Sequence, residues 1–300
     1  MAGEIIKTDG IVLAIHPWSR TSHIVTWLTP DHGCVTTLVK GAVRPKSAFL
    51  GQYDLFYTCD LLYYARSRGD LHALRETTPR NLREGLRGRW RETAIAGYAA
   101  GLVKDLAPAN GESAAWFEFL SSLLDRLESN AIKEFKVVNV LKDLNVPNAP
   151  KGPKDPNDLK DPKDTKDPND LKDPKDLKDP KDPNDLKDPK DLKDLKDLRP
   201  LLELVRLEMD ILRLAGWSPD FSGMDKSADW TPFAIDHGRC GDGTRTVRLS
   251  PRTVAVLVRP DASSHAQETL EDAVRFLGVF LSYHLDATPD VRRSLVTLLT

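Results

Sequence analysis

Cysteine is scarce in this chain of 300 residues. Cys34, Cys59 and Cys240 stand far apart and are odd in number. Such usage suggests no disulfide framework and fits a reducing cytosol. No apolar run approaches the roughly 18 residues that a membrane-spanning helix needs. The N-terminus, MAGEIIKTDG, carries Glu4 and Asp9 and lacks an apolar core, so no secretory signal is expected. A soluble, cytoplasmic protein without a membrane partner is the expectation. Catalytic signatures are also missing: there is no G-x-x-x-x-G-K-[ST], no G-x-G-x-x-G opening a helix and no H-E-x-x-H. The seven histidines are scattered. His16, His23 and His32 fall on short strands at spacings that do not bring their rings to one point. Cys240, in the loop HGRCGDG, could supply one metal ligand, but zinc usually takes four, often as C-x-x-C pairs, and the second cysteine is absent. No metal-binding carboxylate cluster is visible outside one biased segment. These absences disfavour an enzyme and assign no catalytic residue, metal or cofactor.

What is present is unevenly spread. Hydrophobic residues make up 40% of the chain and its net charge is -2, so the whole molecule has no general attraction for nucleic acid. Residues 1–91 nevertheless hold 13 Lys and Arg against 8 Asp and Glu. From Asp155 to Asp197 an aspartate recurs every third residue, in text such as KDPNDLKDPKDTKDPNDL. Repeated proline cannot sustain a long helix, and the segment has too few apolar residues to offset ordering entropy. It is expected to be a disordered or polyproline-like spacer, with a binding tail as the functional alternative.

The flanking regions have regular periods. GIVLAIH, HIVTWLT, CVTTLV, DLFYTCDLLYYA and DLHALRET are β-branched or aromatic runs separated by turn signals. Five strands in about 80 residues fit an OB-type barrel, and an SH3-like barrel fits nearly as well. Farther on, Ile95, Tyr98, Leu102 and Leu106 fall at helical spacing. Ser113 is a candidate cap for a helix with the stripe Trp116, Phe119, Leu120, Leu123, Leu124 and Leu127. LLELVRLEMDILRLAG reads as an amphipathic helix ending at Gly216, expected to pack on the helices at 90–128. Residues 218–252 look irregular, RTVAVLV fits a strand or a helix, and TLEDAVRFLGVFLSYHL reads as a helix with Thr269 as its candidate cap.

The N-terminal cations carry the functional signal. In VTTLVKGAVRPKS, an apolar strand ends at Val39 and Lys40, Arg44 and Lys46 follow at once around Gly41 and Pro45. Arg66 and Arg68 lie on a second turn, and Arg75, Arg80 and Arg83 continue along the last strand. Tyr53, Tyr57 and Tyr64 are interleaved as candidates for base stacking. Cations track phosphates and rings stack on bases, which is how single strands are bound. Barrels also need aromatic cores, so about half of the rings in this region are expected to be structural.

The stretch from TDGIVLAIH to DLHALRET resembles the N-terminal domain of the RecO family of bacterial DNA repair proteins. The resemblance rests on Thr29 to Gly33 as a T-x-x-x-G turn and on Lys40-Gly41 followed by Lys46-Ser47. LLELVRLEMDILRLAGWSPDF resembles the family helix before its zinc-finger region, and EDAVRFLGVFLSYHL its last helix. The implied fold is α+β. An OB-type barrel spans 1–82, and a helical domain spans 83–147 and 200–300, split by a low-complexity spacer over 148–199. A degenerate zinc-finger-like region falls at 218–252. The implied function is recombination mediation without nucleotide hydrolysis. Such a protein binds single- and double-stranded DNA, anneals complementary strands, and loads RecA with RecR at DNA coated by the single-stranded DNA-binding protein SSB. Partners are then DNA, RecR and the SSB C-terminal tail, in the bacterial nucleoid. The alternative is a protein–protein adaptor for SSB or RecR with incidental DNA contact.

Overall fold

A computed structural model describes residues 4–66, 69–144, 198–260, 266–285 and 289–300, apart from the side chains of 130–144, 289 and 290. The spacer expected over 148–199 lies outside these residues except at its last two positions. Among the described residues, no helix is long and apolar enough to cross a membrane.

Five strands make the first element group: β1 (Glu4–Ser19), β2 (Ser22–Thr29), β3 (Gly33–Val39), β4 (Thr58–Ala65) and β5 (Leu71–Asn81). They pair in the order β1-β2-β3-β5-β4 and close into a barrel. All pairings are antiparallel except β3 with β5, which is parallel and short. The sequence alternation sets the faces. In β3, Val35, Thr37 and Val39 point inward and Cys34, Thr36 and Leu38 outward. Trp27 fills the interior with no exposed surface, and its indole N–H donates to Thr37 Oγ1 at 2.8 Å, so the one polar atom buried with it is satisfied. The first strand runs through Pro17 and Trp18, where a turn is expected, because the reversal is made later at Arg20 and Thr21.

The rest is mostly helical: α1 (Trp90–Leu106), α2 (Ala114–Leu144), α3 (Arg199–Leu214), α4 (Pro251–Val258), α5 (Gln267–His284) and α6 (Pro289–Leu299). The stripes behave as helical spacing requires: Ile95, Tyr98 and Leu102 on α1, and Leu120, Leu123, Leu124 and Leu127 on α2, are all buried. Helix α3 packs on α1, and Arg126 of α2 reaches Glu203 of α3 at 2.9 Å. Its end is a Schellman turn: Gly216 has φ +78° and the N–H of Trp217 returns to the carbonyl of Leu212 at 2.8 Å. RTVAVLV forms α4, capped by Ser250, whose Oγ accepts from the N–H of Thr253 at 3.1 Å. Helix α5 starts before Thr269, at Gln267, so the cap position falls to Ala266. The stretch read as irregular contains a small antiparallel sheet, with β6 (Thr231–Ala234) between β7 (Arg239–Cys240) and β8 (Thr246–Leu249).

One apolar cluster unites the helices with part of the barrel, because Ile11, Leu13, Leu28 and Phe56 pack into the same core as the helical stripes. A second, smaller cluster around Trp27, Leu61 and Tyr63 fills the barrel interior.

Candidate nucleic-acid interface

The loop after β3 is built to hold cations outward. Val39 is buried and ends the inward alternation, and Lys40 is exposed. Gly41 then takes φ +69°, a left-handed turn that L side chains rarely adopt, and its N–H donates to Ser22 Oγ at 3.3 Å. Ala42 tucks into the barrel core, while the N–H of Val43 meets the carbonyl of Thr21 at 3.4 Å. Two further backbone bonds, Arg44 to Gly41 at 3.2 Å and Ser47 to Arg44 at 2.9 Å, tighten the turn. With its backbone satisfied and Ala42 as anchor, the loop presents Lys40, Arg44 and Lys46 to solvent. The same contacts bring up the β1–β2 turn, so exposed Arg20 joins them. Among the described residues, none of these four cations has an ion pair.

Two more exposed cations precede and follow the part of β5 that pairs with β3. Leu38 of β3 pairs with Ala73 of β5. The ladder stops there, and Arg75 is the extra residue of a bulge in β5 against β4. Arg75 is exposed and its guanidinium lies 5.7 Å from the ring centroid of Tyr64, which is 37% exposed. Arg66 is exposed at the start of the β4–β5 turn, where its backbone N–H donates to His72 Nδ1 at 3.1 Å. Burial holds the His72 imidazole below its ordinary value and the Arg66 charge adds to this, although Asp70 opposes it. The lowered value favours the neutral ring, whose Nδ1 lone pair accepts the Arg66 N–H. Arg68 lies outside the described residues. Arg66 also lines a cleft of about 820 Å³ whose charges are mixed, with Arg66 and Lys104 set against Asp31 and Asp70. This cleft selects neither sign of ligand.

The other expected contacts are occupied elsewhere. Arg80 is exposed but bonds to Asp60 and lies 3.5 Å from Asp9, so two carboxylates cancel it. Arg83 is a structural residue, with 1% of its side chain exposed. Its guanidinium donates to the carbonyl of Phe56 at 2.7 Å, Thr58 Oγ1 at 2.8 Å, Asp125 Oδ1 at 2.9 Å and Ser121 Oγ at 3.1 Å. It pins the barrel to α2 and, with four of its five N–H donors used and its side chain buried, is out of reach of a phosphate. Tyr57 is buried under Arg87, which stacks on its ring at 5.4 Å and bonds to its hydroxyl. Tyr53 packs edge-on against Trp27 and its hydroxyl meets His23 Nδ1 at 2.8 Å. Burial pushes the Tyr53 phenol up to about 12. Of the three tyrosines, only Tyr64 offers a ring to solvent.

Strand parity could have sorted two of these rings. In β4, Cys59, Leu61 and Tyr63 are buried, so odd positions point inward and Tyr64 outward, and the same parity carries Tyr57 inside. The sequence does not single out Arg20, because the turn signal Pro17-Trp18-Ser19 precedes the actual reversal at Arg20 and Thr21. No group of three His, Cys, Asp or Glu side chains is placed to hold a metal ion among the described residues.

Residues 1–83 match the family "Recombination protein O N terminal". A "DNA repair protein RecO" of Geobacter metallireducens is 33% identical over 125 residues, 42% of this chain and 50% of that protein. The same name belongs to a protein of Anaeromyxobacter sp. strain K, 30% identical over 124 residues, 41% of this chain and 49% of the relative. A third, from Syntrophotalea carbinolica, is 24% identical over 131 residues, 44% of this chain and 51% of the relative. The chain thus spans about half the length of the curated relatives it matches.

Proposed function

We propose, from the match of residues 1–83 to the RecO N-terminal family, that the chain is a DNA repair and recombination mediator. In this reading it binds single- and double-stranded DNA, anneals complementary strands, and acts with RecR to load RecA on DNA covered by SSB. It performs no nucleotide hydrolysis. The partners are those of the family: DNA, RecR and the SSB C-terminal tail. The strand order β1-β2-β3-β5-β4 supports the OB type of barrel, a fold whose faces and loops suit oligonucleotides.

One observation carries the proposal: Lys40, Arg44 and Lys46 stand exposed on one loop with no ion pair among the described residues, and Arg20 is brought beside them by the contacts of the β1–β2 turn. Cations whose charge is not cancelled by carboxylates release counterions when they meet phosphates. Annealing follows from the same arrangement. The surface neutralises the repulsion between two backbones, and bases not stacked on its exposed rings stay free to pair.

Reversing the loop charges tests this. Lys40→Glu, Arg44→Glu and Lys46→Glu together remove three contacts, so the salt slope for single strands falls by about 2, roughly 0.7 per phosphate. Binding of a labelled oligonucleotide at low salt is expected to weaken at least tenfold, and annealing to be lost with it. Circular dichroism and the unfolding midpoint should stay at wild-type values, because no buried contact is touched. Unchanged affinity in a folded variant would remove the loop from the interface. If such a variant still bound the SSB tail, the adaptor reading would take its place.

A further inference from the structure

Two more guanidiniums are held over rings far along the chain from the barrel loop. Arg248 of β8 lies 4.4 Å from the ring centroid of Trp230, which is 46% exposed. Arg245, just before β8, lies 5.8 Å from the ring of Tyr283 on α5, which is 43% exposed. Neither arginine has an ion pair among the described residues. The two stacks belong to one surface. Trp230, Arg248 and Val279 line a groove of about 270 Å³ between the small sheet and α5, together with Arg275 and the Asp272 carboxylate that pairs with it. Tyr283 follows Val279 by one helical turn, about 6 Å along the axis, on the same exposed side of α5. Arg275, one turn before Val279, is also exposed and is paired to Asp272 at 2.7 Å.

We propose that this face of the C-terminal lobe is a second site for single-stranded nucleic acid, which holds the complementary strand while the barrel loop holds the first. The proposal rests on the annealing reading above and supplies what that reading needs, a place for a second backbone. The occupant follows from the chemistry. An apolar partner would leave two unpaired guanidiniums desolvated, whereas a single strand offers phosphates to the cations. Its bases can stack on the open faces of indole and phenol and on the guanidinium planes themselves. An aromatic–arginine stack also holds the cation in place before the ligand arrives, so less freedom is lost on binding.

The test uses the full chain and two non-complementary oligothymidylates, one carrying a donor dye and one an acceptor. Wild-type protein should hold both and give energy transfer. Arg245→Glu with Arg248→Glu should bind the first oligonucleotide within about twofold of wild type and lose the transfer at least tenfold. In wild-type protein, an oligonucleotide bearing 5-iododeoxyuridine should photocross-link to the peptides containing Trp230 and Tyr283, a readout independent of any variant's folding. Undiminished transfer in the variant, or cross-links confined to the barrel, overturns the second site and leaves the barrel reading intact. Failure of the wild type to bind even one strand sinks both. Loss of binding to a glutamate- and aspartate-rich peptide with transfer unchanged would also overturn the proposal, and would give the face to an acidic protein segment.

Discussion

Glu208 has no exposed surface, yet it is a carboxylate on the apolar side of α3. Arg292 of α6 meets it twice, Nε to Oε1 at 2.6 Å and Nη2 to Oε2 at 2.8 Å, and Tyr98 of α1 donates to Oε1 at 3.0 Å. Nη2 of Arg292 also donates to the carbonyl of Val274 on α5 at 2.7 Å, so one guanidinium ties together three helices. Burial and the Glu208 charge both push the Tyr98 phenol up, which keeps it a donor at any ordinary pH. A buried pair of this kind adds little over a well-packed apolar replacement, but breaking it strands a charge. Arg292→Ala is expected to lower the unfolding free energy by about 3–5 kcal/mol. The double variant Glu208→Leu with Arg292→Met should recover most of that in urea titrations. A loss below about 1 kcal/mol in the single variant would show that water reaches the carboxylate. Half of this was legible in the sequence: Leu201, Leu204, Val205, Glu208, Ile211 and Leu212 share one stripe, so an acid stands where only a partnered one belongs. The partner was not legible, because it is distant in the chain and no local pattern names it. The same limit separates Arg44 from Arg83. Both are arginines beside strand ends, and only the fold, by placing Asp125 and Ser121 against Arg83, decides which one faces solvent.

The element most plainly written in the sequence is the turn from Thr29 to Gly33. Its spacing is explained by the bonds it makes. Thr29 Oγ1 accepts from the N–H of His32 at 3.1 Å and donates to the carbonyl of Gly33 at 3.0 Å, closing the turn on itself. The turn is also the seam between barrel and helices. The N–H of Cys34 donates to the carbonyl of Pro108 at 3.0 Å, and that of Ser113 to the carbonyl of Pro30 at 2.8 Å. Ser113, the candidate cap of α2, spends its hydroxyl on the carbonyl of Thr29 at 2.5 Å instead. Gly33 is therefore constrained twice, by φ +68° and by a Cβ position only 2.2 Å from the Pro108 carbonyl oxygen. Left-handed strain alone costs about 1–2 kcal/mol. A clash with fixed backbone adds to it, so Gly33→Ala should cost about 3 kcal/mol or more. Gly33→Asn separates the two causes in the same urea titration, because asparagine tolerates the dihedral but keeps the Cβ. If it restores wild-type stability, the close approach to Pro108 is not what matters. Periodicity reveals such turns and the helices that follow them. It does not reveal the small sheet of β6, β7 and β8, whose strands are too short to show an alternation.

At the scale of the whole molecule, the boundary read at residue 82 marks a change of periodicity, not a division of the core. Ile11, Leu13, Leu28 and Phe56 belong to the barrel in sequence, but they are buried among Ile95, Leu102, Leu120 and their neighbours. Arg83 stands at the boundary and bonds backward to Phe56 and Thr58 and forward to Ser121 and Asp125. A fragment ending at Leu82 would expose all four apolar side chains and lose that clamp. At about 1.5–3 kcal/mol for each large side chain returned to water, the loss is of the order of 6 kcal/mol or more, an upper estimate because unfolded chains keep some burial. That is comparable to the entire stability of a small domain. The fragment is therefore expected to bind a hydrophobic dye, to lack a cooperative melt and to show collapsed amide dispersion, whereas the full chain melts cooperatively. It should also bind oligonucleotide more weakly than the full chain, although every loop cation is still present. The loop is held to the β1–β2 turn by one bond to the Thr21 carbonyl and one to the Ser22 hydroxyl, and it stays ordered only while the barrel does. A fragment of 1–82 that melted cooperatively near the full chain's midpoint would show that the barrel interior around Trp27 is sufficient alone. The helices would then be passengers on the strand-binding domain and not its support.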